Sequence, residues 1–268
     1  ELLGSDSFNY ESGNLYPQGS WWRLTAANTD EPIQVVDDAL TFAGYQSKAV
    51  GKAVQLAGTN NKTERVKKQF AEEPVLDGVL YYAMLVKPTS FPQTNTSKYV
   101  LAGLAGKNFN GWDDGVGNNT IYATVSISKG SEEGKFQFGF ASAQSVPTLI
   151  DGDLDLGETY LVVVKYDFTN KDICFWLNPA DATAEPTAVL PGGGSISTSN
   201  GVQGLCLYQQ GSALAEATVI VDNVRVATDM TSLFEPKAPE KKGELLWSDS
   251  VNYESGNLYP QGSWWRLT

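Results

Sequence analysis

The sequence predicts an all-β fold of two antiparallel sheets packed face to face, and three observations carry that prediction. Two stretches alternate at the strand period. Ile121, Ala123, Val125 and Ile127 share one face of residues 121–128, and Phe136, Phe138 and Phe140 stand opposite Lys135, Gln137 and Gly139. Apolar runs of strand length follow one another along the chain, separated by turns rich in Gly, Pro, Asn and Asp. No segment shows the 3.6-residue periodicity of an amphipathic helix. About a dozen such strands in one unit make a two-layer sandwich.

Taken in order, residues 1–10 read as an opening strand, with Phe8 and Tyr10 on one face. Glu11 to Asn14 and Pro17 to Ser20 are turns, and Trp21 to Leu24 is a short strand. IQVVDDALTF, residues 33–42, predicts a strand, an Asp-Asp turn and a second strand. Residues 52–56 form the next strand, and residues 63–70 suit either a helical turn or a Lys-rich strand. The run VLYYAMLV, residues 79–86, predicts a strand buried on both faces. Residues 99–105, 121–128, 135–141, 159–168, 172–177, 204–208 and 217–226 complete the set. Long polar loops occupy residues 108–119 and 179–200.

The opening stretch occurs twice. ELLGSDSFNYESGNLYPQGSWWRLT at residues 1–25 returns at 244–268 as ELLWSDSVNYESGNLYPQGSWWRLT. Only Gly4 against Trp247 and Phe8 against Val251 differ, which chance does not produce. Self-similarity at a fixed period marks an array, and this period is long enough for a whole domain. The expected organisation is a sandwich over residues 1–234, a Pro- and Lys-rich linker over 235–243, and the start of a next repeat over 244–268. One or two strands bury too little surface to fold alone. The second copy should therefore contact a neighbouring copy through Trp247, Val251, Tyr253, Trp264 and Trp265. It could do so by strand addition in the first-strand position or by end-on packing.

The net charge of −12 repels phosphate backbones and anionic lipid, which excludes nucleic acid and direct membrane insertion as the expected modes of action. The chain has no histidine, and so lacks the commonest general base and metal ligand. Cys174 and Cys206 sit in apolar runs. They suit either two buried small hydrophobes or one disulfide of an oxidising exterior.

LGETYLVVVKYDF (156–168), FWLNP (175–179), VIVDNVRV (219–226) and EPIQVVDDALTFAGY (31–45) together resemble the concanavalin A-like, or laminin-G-like, domain of secreted and surface-anchored bacterial proteins. The resemblance spans roughly residues 1–234 and marks strands and turns. It implies a jelly roll used for adhesion, glycan binding or spacing, outside the cell. Some relatives of this fold are glycoside hydrolases with paired carboxylates in a Glu-x-Asp-x-x-Glu strand. The segment DGDLDLGE at 151–158 departs from that pattern and reads as a turn. No enzyme activity is expected.

Two calcium sites are expected as alternatives to plain turn carboxylates. One uses Asp151, Asp153 and Asp155, because hard cations take several oxygens from such turns. The other follows from the resemblance, since jelly rolls often carry a structural calcium between first and last strands. Asp6 and Asp222, with Asn223 beside it, stand at those places. Neither cation is required by the chemistry. For surface glycans, Trp112 with Asp113 and Asp114 in the loop FNGWDDG offers a ring face among polar groups. The expected function is a non-catalytic repeat module of a long extracellular adhesin or filament, with head-to-tail contacts between neighbouring copies. The alternative is a carbohydrate-binding module of a secreted glycan-degrading system.

Overall fold

The structure is a computed structural model that describes residues 1–24, 32–46, 48–58, 63–92, 98–106, 121–143, 145–194, 196, 201–210 and 217–235. All of these lie in the compact unit Glu1–Glu235; a second unit, Pro236–Thr268, lies outside the described residues. The described residues form strands β1 (Leu2–Asp6), β2 (Gly13–Asn14), β3 (Trp22–Arg23), β4 (Gln34–Val36), β5 (Ala53–Ala57), β6 (Glu64–Gln69), β7 (Val79–Ser90), β8 (Tyr99–Gly106) and β9 (Ile121–Lys129). They continue as β10 (Lys135–Ala141), β11 (Thr148–Leu149), β12 (Leu154–Asp155), β13 (Tyr160–Asp167), β14 (Ile173–Leu177), β15 (Ala188–Leu190), β16 (Val202–Gln209) and β17 (Thr218–Ala227). Helical structure among them is limited to two 3-10 turns, Gln18–Ser20 and Thr231–Leu233.

One sheet runs β15-β14-β13-β7-β17-β5-β4-β2, with β1 added against β17; the other runs β11-β10-β9-β8-β16-β6-β3, with β12 added against β10. The ladders are antiparallel. The alternation read from the sequence explains the packing. Phe136, Phe138 and Phe140 of β10 enter the core between the sheets and meet Phe175 of β14 and Tyr160 of β13. Along β7, Leu80, Tyr82, Met84 and Val86 face that core, while Ala83 and Leu85 face a second cluster on the outside of the sheet. The expectation of a strand buried on both faces holds. Leu40, Tyr45, Trp176, Met230 and Leu233 build that outer cluster.

Three expectations are corrected, and two open alternatives are resolved. The opening strand stops at Asp6. Phe8 has left the ladder with φ 52° and points into the core, whereas Tyr10 is only partly buried. In residues 33–42 only Gln34–Val36 is a strand, because Leu40 is drawn into the outer cluster and its N–H donates to Asp222 instead of to a ladder. The polar loop 179–200 contains β15, and of the two readings of residues 63–70 the strand is the one found, as β6 (Glu64–Gln69) with Val66 inward. Cys174 on β14 and Cys206 on β16 are free and buried, in clusters belonging to different sheets. Sheets pack about 10 Å apart, beyond the reach of one disulfide.

Candidate functional site

The end of β1 and the middle of β17 meet where the registers place Asp6 opposite Val224. At the same place β17 bulges against β7 between Asp222 and Arg225. The bulge puts Asn223 in the left-handed region at φ 48°, a conformation asparagine tolerates better than most residues. Bulges re-aim side chains, and here Asn223 and Arg225 of β17 join the wall of a cavity of about 420 Å³.

Asp6 is held from four directions. Its Oδ1 accepts from the Phe8 N–H at 2.7 Å, and its Oδ2 accepts from Tyr10 Oη at 2.5 Å, Lys68 Nζ at 2.7 Å and Trp21 Nε1 at 2.9 Å. Lys68 arrives from β6 on the opposite sheet, so this ion pair ties the two layers together at their edge. Burial, reinforced by the Asp6 carboxylate, pushes the Tyr10 phenol well above its ordinary range. Four donors leave this carboxylate little acceptor capacity.

Asp222 is fully buried and accepts from the Leu40 N–H at 2.7 Å and the Asn223 N–H at 2.6 Å. Burial raises its pKa to about 7, with the Asp6 charge adding to the rise and these hydrogen bonds opposing it. Tyr45 donates its hydroxyl to the Asn223 carbonyl. The Asn223 side-chain Nδ2 is buried without a hydrogen-bond partner among the described residues, although the amide lies near enough to Asp222 to favour its charged form. Arg225 stacks over the Tyr45 ring at 4.6 Å and donates to the Leu233 carbonyl at 2.5 Å.

The two expected calcium sites behave differently from a ligand cage. Asp6 and Asp222 do come together across β1 and β17, but an ammonium sits 2.7 Å from the Asp6 oxygen that a cation would use. Calcium needs six to eight oxygens, and these two carboxylates are already committed to N–H and O–H donors. The residues present do not fit the ion. In the 151–155 turn, Asp153 accepts from the Ser131 N–H at 2.7 Å and from its hydroxyl, and Asp155 pairs with Lys135 at 2.5 Å, directly across β10 and β12. The Ser131 hydrogen bonds hold the Asp153 carboxyl below its usual range. Asp151 is exposed in the bend before them. No group of three or more His, Cys, Asp or Glu side chains among the described residues is arranged to hold a metal.

The glycan candidates Trp112, Asp113 and Asp114 lie outside the described residues, as do Trp247, Val251, Tyr253, Trp264 and Trp265. The first copy of the duplicated stretch is fully placed to Leu24. Phe8, Leu15 and Trp21 are core residues, Phe8 and Trp21 stack at 5.7 Å, and Trp22 points outward beside Tyr16. A second cavity, of about 620 Å³, lies beside Pro147 and Leu149 at the β10–β11 edge. Sequence reasoning missed Lys68, Tyr10 and Arg225 as site residues. The signal available for Lys68 was its place in a strand whose inward face otherwise carries Val66.

No helix among the described residues is long and apolar enough to cross a membrane. No protein-family model matches the chain, and no curated protein matches its sequence. Among solved structures, the chain is similar to the cellulose induced protein Cip1, at 12% identity over 84% of this chain and 97% of that one, with a TM-score of 0.50. It is also similar to a carbohydrate esterase of the Shiga toxin-encoding bacteriophage phi24B, at 12% identity over 83% and 98% of the two chains, with a TM-score of 0.48. At these identities the likeness concerns the fold alone, and the fold is an antiparallel jelly-roll sandwich.

Proposed function

We propose that the chain is a non-catalytic recognition module of an extracellular adhesin or filament, and that residues 244–268 open a second copy of it. The observation that supports this reading is what the duplicated stretch encodes. Its first copy supplies β1, β2 and β3 and three core side chains, Phe8, Leu15 and Trp21. It is the structural opening of a sandwich rather than a loop or a peptide motif. Arrays of such units multiply contacts with a surface without any new interaction.

Exchange of first strands between copies is disfavoured by the fit of that opening. Gly4 approaches Phe70 so closely that a Cβ at position 4 would stand 2.4 Å from Phe70 Cδ1, yet the second copy has Trp247 at this place. This misfit favours end-on packing over strand exchange in our reading. Sedimentation of the full chain against a chain ending at Glu235 tests this. Association lost on truncation supports head-to-tail contact, and the same state in both refutes it.

Carbohydrate binding is the second reading. It is supported by the fold shared with a protein described as cellulose induced, and by the polar cavity at the end of β1. A glycan array probed with the full chain tests it, and a blank array over neutral and acidic glycans refutes it. Catalysis is not part of the proposal, because Asp153 and Asp155 are tied to Ser131 and Lys135 at the surface rather than paired across a cleft.

A further inference from the structure

We propose that the cavity at the end of β1 binds the carboxylate of an acidic sugar unit, with Arg225, Lys68 and the Asn223 side-chain amide as donors. The inference deepens the carbohydrate reading and rests on it.

Three observations point to an anionic, hydroxylated ligand. The first is the donor excess. Lys68 and Arg225 both line the cavity, against the single carboxylate of Asp6. Asp6 already accepts from four donors and has little acceptor capacity left. Lys68 uses one N–H on Asp6 and another, at 3.2 Å, on the Tyr10 hydroxyl oxygen, which leaves a third. Arg225 spends one bond on Leu233 out of five N–H groups, and a guanidinium suits a carboxylate in bidentate fashion. The local balance is one positive charge on a chain whose net charge is −12.

The second observation is Asn223. It lines the cavity, is held at φ 48° by the bulge, and buries an Nδ2 that lies near the Asp222 carboxylate but makes no well-aligned hydrogen bond among the described residues. A buried donor left unpaired is costly, and structures retain one where something else satisfies it. An acceptor on a ligand does so here. The third observation is size and lining. A volume of about 420 Å³ falls in the range of small-molecule sites. Ser5 and Ser7 add hydroxyls to the wall, and Val50 is the one aliphatic side chain in it, so the surface suits a sugar ring better than an apolar molecule.

Calorimetric titration of the full chain with sodium glucuronate and galacturonate, as monosaccharides and as short oligomers, tests the proposal, with glucose and acetate as controls. Uronates should bind at least tenfold more tightly than either control, and added salt should weaken them. Asn223→Asp keeps the shape and the tolerance of positive φ but replaces the donor with an anion; it should weaken uronate binding at least tenfold. Ser5→Asp places an anion on the exposed part of the wall and should do the same. It decides the case if Asn223→Asp fails to fold. Uronate affinity equal to that of glucose and acetate, or unchanged in Ser5→Asp, overturns the site. Neutral glycans that bind while uronates do not would leave the carbohydrate reading standing and remove this one.

Discussion

Writing the second copy's residues into the first measures how well each copy fits the opening of the sandwich. Phe8→Val is the informative change. Phe8 is fully buried and its ring stacks on Trp21 at 5.7 Å and 28°. Phe-to-Ala truncations in cores cost about 3–5 kcal/mol, and valine retains part of the lost volume, which leaves about 2–3 kcal/mol. The backbone adds to this. Phe8 has φ 52°, a cost that phenylalanine already carries and that β-branched valine raises further. The combined loss is about 2–3 kcal/mol. Gly4→Trp adds the overlap with Phe70, and overpacking of this kind costs about 1–3 kcal/mol. A domain of this size shifts by roughly 2–4 °C per kcal/mol, so Phe8→Val should lower the Tm of the full chain by roughly 4–12 °C. Calorimetry and urea denaturation read both changes. A loss below about 1 kcal/mol in Phe8→Val would refute the reasoning, since the second copy would then fit the first-strand position as well as the first.

Three further outcomes are expected. Asp222 binds its proton more tightly in the fold than in the open chain, so stability should fall as pH rises from about 4 to about 7. The fall attributable to Asp222 is up to about 4 kcal/mol, and urea denaturation of Asp222→Asn should show the pH dependence reduced by that order; identical profiles would refute it. Melting curves with and without a chelator should coincide, because Lys68 already neutralises Asp6; a downward shift with chelator would restore the metal. Cys174 and Cys206 should react with a thiol reagent only on unfolding, and reductant should leave the Tm unchanged, since both are free and buried, with burial raising the Cys206 thiol to about 12.

The strands were legible wherever one face is buried and the other is not. Residues 135–141 show this most clearly, because three phenylalanines alternate with Lys135, Gln137 and Gly139 and the fold has to sort them. The apolar run at 79–86 was also legible, and the second cluster on its outer face explains why it lacks polar alternation. Legibility failed where the chain leaves the ladder. Phe8 and Leu40 look like strand residues, but each is claimed by a cluster reached only after the sheet has formed. At the candidate site, Asp6 and Asp222 stand on paired strands. The partner of Asp6 there, Lys68, comes from the other sheet, which no local pattern announces. The cavity joins residues of β1, β6 and β17 with Gln46, a proximity that no local pattern carries.

The pairing of β1 with β17 has a mechanical consequence. Leu2 sits opposite Ala227, and the Thr228 N–H donates to the Glu1 carbonyl at 2.9 Å, so the two ends of the sandwich lie side by side. A load applied between Glu1 and Glu235 pulls across this ladder at its open end and breaks its bonds one after another. Before it does so, it must lift Leu233 and Phe234 from the outer face, where Phe234 meets Tyr45 edge-on at 6.2 Å. Such a unit yields by peeling rather than by shear. In single-molecule pulling, the opening strand should come away at low force while the remaining layers keep their shape, and one abrupt high-force rupture would contradict this geometry. A chain of these modules would lengthen gradually under tension and recover when released.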